Sequence, residues 1–270
     1  MASDTLCGRA VCWRIDRRDG VSIGLTAHDR DLEIDGLIHR AGPGMLPSAI
    51  ALGEADARET MEVTGPLTVD AIGERDLIAG RWDGAAISIA MVDWSEQPVR
   101  TTPIGTGTLG SVAIGDEGFS AQLKGPIGLL DGAGCETTAP DCRAELGDRR
   151  CRVPMAGRRH LARVAAIDGD AVTIDVGEPV ANGFGGGRLR WLSGPNGGLD
   201  SAVLVSAADR LTLREPPAFA PVAGDLIEAV EGCDKLFATC RARFGNAANF
   251  RGEPFLPGID LLTRYPGAGA

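Results

Sequence analysis

Short runs of alternating apolar and polar residues, broken repeatedly by turn residues, occupy most of this chain. Such runs suit strands with one buried face, and they leave little room for helices of ordinary length. In the first half they lie at Val11 to Arg17, Val21 to Thr26, Leu32 to Arg40 across an Asp35-Gly36 turn, Ala57 to Val63 and Ile87 to Trp94. Ile104 to Ile114 and Phe119 to Leu123 flank a further turn, Gly115-Asp116-Glu117-Gly118. One helix interrupts the pattern, from about Asp70 to Ala79, where Ala71, Ile72 and Leu77 share a face and Gly80 supplies the stop.

Between Gly125 and Gly157 the pattern gives way to a cysteine- and arginine-rich stretch with Gly and Pro breaks, which marks the expected domain junction. A second β run follows: Leu161 to Ile167, an Asp168-Gly169 turn, Ala171 to Val176, Arg188 to Leu192, Ala202 to Val205, Leu211 to Arg214 and Leu226 to Val230. Its short, evenly punctuated strands predict a small barrel or sandwich. Asp234 to Phe244 has the composition of a short helix, with Gly245 at its C′ position. The expected fold is mainly β: a β-rich N-terminal domain over residues 1–134, then a smaller C-terminal barrel-like domain over 135–270 with short helices and a cysteine cluster.

At 270 residues the chain is long enough for two ordinary domains. No apolar run approaches the roughly 20 residues that cross a bilayer, and the N-terminus carries charge where a signal peptide is apolar. The expectation is a protein folded in the producing cell's cytoplasm, without membrane anchoring. The formal charge of −10 is uneven: residues 1–134 hold 20 acidic and 11 basic groups, residues 135–270 hold 17 and 16. An acidic surface disfavours sequence-independent nucleic-acid binding and suits the wall of a channel past which DNA slides, though such a surface more often serves only solubility.

Seven cysteines in a cytoplasmic chain point to free thiols or metal ligands rather than a disulfide framework. Four form two pairs that bracket the second β run, Cys142 with Cys151 and Cys233 with Cys240. A barrel whose first and last strands are neighbours would bring these flanks together. Helical positions seven apart lie about 10 Å apart along the axis, whereas one zinc needs sulfurs only about 4 Å apart and usually announces itself with closely spaced pairs. A larger iron-sulfur cluster accepts wider spacing, the more so if Cys233 sits ahead of the helix. Arg143, Arg149, Arg150, Arg152, Arg158, Arg159 and Arg163 face four carboxylates between 136 and 163, a local surplus suited to a thiolate-bound centre. On spacing alone, scattered reduced thiols packed as small hydrophobes explain the four residues as well. Cys135 is an alternative ligand or a bystander, and Cys7 and Cys12 read as packing residues.

Other signals point away from catalysis. Gly183-Phe184-Gly185-Gly186-Gly187-Arg188 precedes a strand rather than the helix a phosphate loop needs, and reads as a mobile turn, as does Gly194-Pro195-Asn196-Gly197-Gly198. His28, Asp29 and Asp31 around Arg30 read as a surface ion-pair cluster, and His39 and His160 lack a recognisable carboxylate or nucleophile partner. The H-E-x-x-H motif is absent. Trp13, Trp82, Trp94 and Trp191 fall in or beside apolar strands, as core or interface residues do.

The segments GCDKLFATCRARFGNAANFRGEPFLPG and CRAELGDRRC resemble the C-terminal region of the tail hub family of gene transfer agents and related siphovirus-like prophages. LTAHDRDLEIDG and AGRWDGAAISIAMVDW are similar to the same family, so the resemblance spans essentially the whole chain. A more distant similarity, strong only at the cysteines, is to tail tip protein L of lambda-like phages. The resemblance implies a non-enzymatic structural hub in the virion tail tip: a homotrimer whose ring-forming N-terminal domain joins tail tube and distal tail protein to a tail-associated peptidase and a large fibre or tip protein, with DNA leaving through its centre without specific binding. It further implies that Cys142, Cys151, Cys233 and Cys240 hold an iron-sulfur cluster; the similarity does not fix its type, for which 4Fe-4S is the expectation, with zinc as the alternative centre. An iron-sulfur redox protein or enzyme is the rival reading.

Overall fold

The computed structural model describes residues 8–41, 46–47, 60–65, 73–95, 99–115, 118–124 and 136–255. The chain divides into two units, Met1–Ala133 and Gly134–Ala270.

Among the described residues, the first unit is a nine-stranded sheet built from β1 (Arg9–Asp16), β2 (Ser22–Thr26), β3 (Leu32–Ile34), β4 (Leu37–Ala41), β5 (Leu46–Pro47), β6 (Thr60–Gly65), β7 (Ala86–Asp93), β8 (Arg100–Gly115) and β9 (Gly118–Lys124), in the order β3-β4-β2-β1-β7-β8-β9-β6-β5. Side-chain alternation decides its core. Trp13 stands opposite Leu25 and Ile89, Ile15 opposite Ile23 and Ile87, so one face carries a continuous apolar cluster with Trp82 and Leu109. The β3–β4 turn is Asp35-Gly36, both at positive φ (50° and 76°), as a two-residue hairpin requires. Parallel pairing of β2 with β4 lays the buried His39 across Gly24, where a Cβ would fall 2.8 Å from the imidazole.

The helix is shorter than its apolar spacing predicts. Within the described part, α1 spans Glu74–Ile78; only Leu77 turns inward, Ile78 is exposed, and Gly80 at φ 72° follows the last turn. Residues 70–72, and the tips at 116–117, lie outside the described residues, as do Cys7 and Cys135.

The second unit contains a closed barrel of β10 (Arg159–Asp168), β11 (Ala171–Ile174), β14 (Arg210–Leu213), β13 (Asp200–Ala207), β12 (Arg188–Trp191) and β15 (Leu226–Val230), in that spatial order, with β15 returning to β10. Two bulges make the corners. The register shifts between Val164 and Ala166 on β10, so its first half pairs with β15 and its second with β11; β13 does the same between Val203 and Val205, pairing with β12 and then β14. Asp168 pairs with Ala171, so the hairpin loop is Gly169-Asp170, one residue later than the sequence suggests. The interior is filled by Val172, Ile174, Phe184, Leu189, Trp191, Leu211, Leu213 and Ile227, each at most 2% exposed.

Arg159 pairs with Val230, which places the start of the first barrel strand beside the end of the last. The segments before and after the barrel therefore leave from the same end. Among the described residues the earlier one, 136–158, has no regular structure; the later one carries α2 (Phe237–Ala242) and a 3₁₀ turn at Ala247–Asn249.

Candidate four-cysteine site

Convergence of the barrel flanks brings the four predicted cysteines into one neighbourhood. Backbone pairing begins it: the N–H of Cys142 donates to the Lys235 carbonyl at 2.9 Å. Cys151 packs with Ala144 and Val153, against Cys142, Leu146 and Phe244. Cys151 and Cys240 are buried, Cys142 and Cys233 partly so, and all four are free thiols.

Each position has an identifiable local cause. Asp148 accepts the backbone N–H of Cys151 (2.6 Å), Arg150 (2.8 Å) and Glu145 (3.0 Å), folding Glu145 to Cys151 into a tight turn; these bonds hold its carboxyl below the usual range despite some desolvation. Lys235 adopts φ 65°, which excludes Asp234 and Lys235 from the helix that composition predicted from Asp234 onward. Cys233 consequently sits in the turn ahead of α2 and Cys240 inside it. Asp234 ties the helix start, accepting from the Leu236 N–H (3.0 Å) and the Thr239 hydroxyl (2.6 Å).

Three sulfurs accept N–H donors: Cys142 from the Arg251 backbone (3.4 Å), Cys233 from the Lys235 backbone (3.4 Å) and Cys151 from the Asn246 side chain (3.7 Å). The Asn246 side chain also donates to the Cys151 carbonyl at 2.6 Å, while its backbone N–H donates to the Cys240 carbonyl at 3.0 Å, so one residue joins a cysteine from each pair. Burial raises the Cys240 thiol pKa, and the neighbouring Cys233, Cys142 and Cys151 raise it further. Cys233 is likewise raised, chiefly by burial, with Asp234 and Cys142 adding to the shift. Mutual repulsion between neighbouring thiolates adds to burial in favouring the neutral thiols at Cys233 and Cys240. Among the described residues, no three His, Cys, Asp or Glu side chains close to the spacing of a single ion.

The arginines do not form the open positive field that the sequence suggested. Arg143 pairs with Glu136 (3.1 Å) and Glu253 (2.7 Å), and Arg150 pairs with Glu136. Arg158 and Arg243 both reach Glu231 at 2.7 Å and lie 5.0 and 4.8 Å from the Phe244 ring centre. Glu231 is 5% exposed; burial pushes its pKa up, but donors from His160, Arg158 and Arg243 outweigh it and hold the carboxyl below its ordinary value. His160 thus has a carboxylate partner, at 3.3 Å, 71 positions away along the chain. Sequence proximity could not show it.

Nor is the glycine-rich run a mobile turn. Phe184 is a core residue, and a Cβ would fall 2.7 Å from the Cys233 carbonyl oxygen at Gly186 and 2.2 Å from the Val230 carbonyl oxygen at Gly187. Backbone contact with the Val230 to Cys233 segment explains these glycines. The Gly194 to Gly198 loop is pinned too: buried Asn196 donates to the Phe219 carbonyl (2.7 Å) and accepts its N–H (3.0 Å). Of the remaining signals, His28 contacts Asp29 at 3.0 Å, Asp31 instead accepts the Ala41 N–H, and Cys12 donates to Thr26 in the core. Trp13, Trp82 and Trp191 are buried, while Trp94 is partly exposed beside His28.

Two family models match the chain. Residues 2–154 match the N-terminal attachment domain of a baseplate hub protein, and residues 182–260 match a phage conserved hypothetical protein. The first match contains Cys142 and Cys151, the second Cys233 and Cys240. Among solved structures, a chain of the virion of a native gene transfer agent particle is similar with a TM-score of 0.83 and 34% identity, covering 97% of this chain and 92% of that one. No curated protein matches. Together with the fold, these likenesses define a structural, non-enzymatic protein of the virion tail. The chain belongs to the baseplate hub family, whose N-terminal attachment domain occupies more than half of it.

Proposed function

We propose that this hub joins the tail tube and distal tail protein to a peptidase and fibre components, acts as a homotrimer around the DNA exit path, and is cross-linked in its second unit by an iron-sulfur cluster on Cys142, Cys151, Cys233 and Cys240. The observation that carries the site is the meeting of two remote thiol pairs at one end of a closed barrel. Four cysteine sulfurs, three of them with N–H donors, suit a thiolate-held cluster, and their wide spacing along the chain favours a cluster over a single zinc ion. When bound, such a centre supplies four sulfur-metal bonds between the two flanks and the positive charge that their thiolates lack. The chain's own contribution is to hold the ligands in place: the Asp148 turn, the Lys235 kink and Asn246 each orient a cysteine. Neither family match nor the structural likeness favours the redox-enzyme alternative.

The test is anaerobic purification with iron, sulfide and zinc analysis, alongside Cys233→Ser. Iron and sulfide in near-equal amounts are expected in the parent protein, with aggregated or unassembled protein from the variant. Metal-free parent protein, or normal particle yield from Cys233→Ser, would refute a structural centre.

A further inference from the structure

The short stretch from Phe250 to Glu253 runs alongside the chain just before Cys142. Arg143 N–H donates to the Arg251 carbonyl (3.0 Å), Glu253 N–H to the Ala139 carbonyl (2.8 Å), and Ala139 N–H to a Glu253 carboxylate oxygen (2.9 Å). The same carboxylate takes both terminal nitrogens of Arg143, at 2.7 and 2.9 Å, in the paired geometry that matches a planar guanidinium to a carboxylate. At Gly252 a Cβ would stand 2.4 Å from the Asp141 carbonyl oxygen, so only glycine allows this approach. Phe250 closes the other side, 5.1 Å from the Phe237 ring at the start of α2. The product of all this is one contact: the Arg251 N–H on the Cys142 sulfur, at 3.4 Å.

Resting on the four-cysteine reading above, we infer that residues 250–253 are a clasp over Cys142, in which Glu253, gripping Arg143, is the positioning residue that sets the Arg251 N–H on the sulfur. Cys142 needs such cover more than Cys151 and Cys240 do, because those two are buried by packing whereas Cys142 is only partly so. The strap that carries this N–H occupies space from which a reagent would approach the sulfur. The grip persists in mild acid, since Arg143 holds the Glu253 carboxyl down to about 2.

The measurement is alkylation of the full chain, as purified, by iodoacetamide, with Cys142 and Cys151 read separately by peptide mass spectrometry. Glu253→Gln is expected to raise the Cys142 to Cys151 rate ratio about fivefold, the scale of one lost ion pair. Gly252→Ala, which keeps both charged groups but crowds the strap, is expected to raise it likewise and serves if Glu253→Gln does not fold. The exchanged pair Arg143→Glu with Glu253→Arg is expected to bring the ratio back toward the parent value, which a loss of stability alone would not do. An unchanged ratio in the single variants, or no recovery in the exchange, overturns the clasp. Metal and sulfide content of the same samples tests the ligand reading separately: metal-free parent protein sinks the centre while the rate ratio still decides the clasp.

Discussion

The barrel and the two segments that flank it are built on different physics although they are parts of one unit. The barrel closes its hydrogen-bond ladder on itself and buries large apolar side chains inside, so it has no open edge and needs no partner for its backbone. Among the described residues the flanks have one six-residue helix and a single 3₁₀ turn, and they are held by side chains bonding to backbone, by ion pairs and by a small cluster around Cys151 and Phe244. The difference teaches where a cross-link is useful: a structure lacking an apolar core of its own gains most from bonds between distant segments.

The strongest way to break the contrast is to remove the barrel's interior. Trp191, 1% exposed with its indole N–H on Ser201, contributes packing that nothing else at that level can replace. Trp191→Ala is expected to cost about 3–5 kcal/mol in urea unfolding and to take the flanks down with it, since Gly186, Gly187 and the Val230 to Cys233 segment pack against each other. Flanks that stayed ordered would show them to be independent of the barrel.

The joint between the regions comes next in size. Glu231 ends the last barrel strand's extension and receives Arg158 from one flank and Arg243 from the other. Glu231→Gln leaves two partly buried guanidiniums without their counter-charge, and about 2–4 kcal/mol of destabilisation is expected. Hydrogen exchange reads where it falls: faster exchange in residues 233–250 with a protected barrel would sharpen the division, and uniform loss would erase it.

The smallest effect is confined to the barrel. Burial raises the Glu178 pKa, but donors from Ser206, Ala208, Gly183 and Asn182 outweigh it and leave the carboxyl below its ordinary 4.5. A depressed folded-state value means stability that is present above the unfolded value and lost as pH falls through the folded one. The parent protein is therefore expected to lose stability below about pH 4.5 more steeply than Glu178→Gln, compared by thermal melts at pH 3.5 and 7. Parallel pH profiles for the two would show that these bonds carry no linkage.

Much of the fold was legible because strand alternation is local. Val172, Ile174, Leu211 and Leu213 announce their faces by period-two spacing, and Asp35-Gly36 announces its turn by the φ values it allows. The glycine run at 183–187 misled for an equally physical reason: glycine signals either freedom or a close backbone approach, and only the partner segment at 230–233 tells which. The α2 start misled because helix composition extends to Asp234, while the Lys235 kink is set by contacts of its carbonyl with Cys142 and of its amine with Ala144 and Glu145.

At the candidate site the ligands could be named from spacing and resemblance, but not what orients them. Asn246, Glu231 and Glu253 have no motif of their own, since each acts on residues brought near by the barrel's closure, while Asp148 acts within a local turn. The sequence alone determined the strand pattern, the turn positions that need unusual φ, and which cysteines stand at the two ends of the barrel run, because these depend on neighbours within a few positions. Only the tertiary structure decided that Arg143 and Arg158 meet carboxylates of the far flank, that His160 has a carboxylate, and that the two flanks meet, because these depend on the pairing of Arg159 with Val230 across 71 positions of chain.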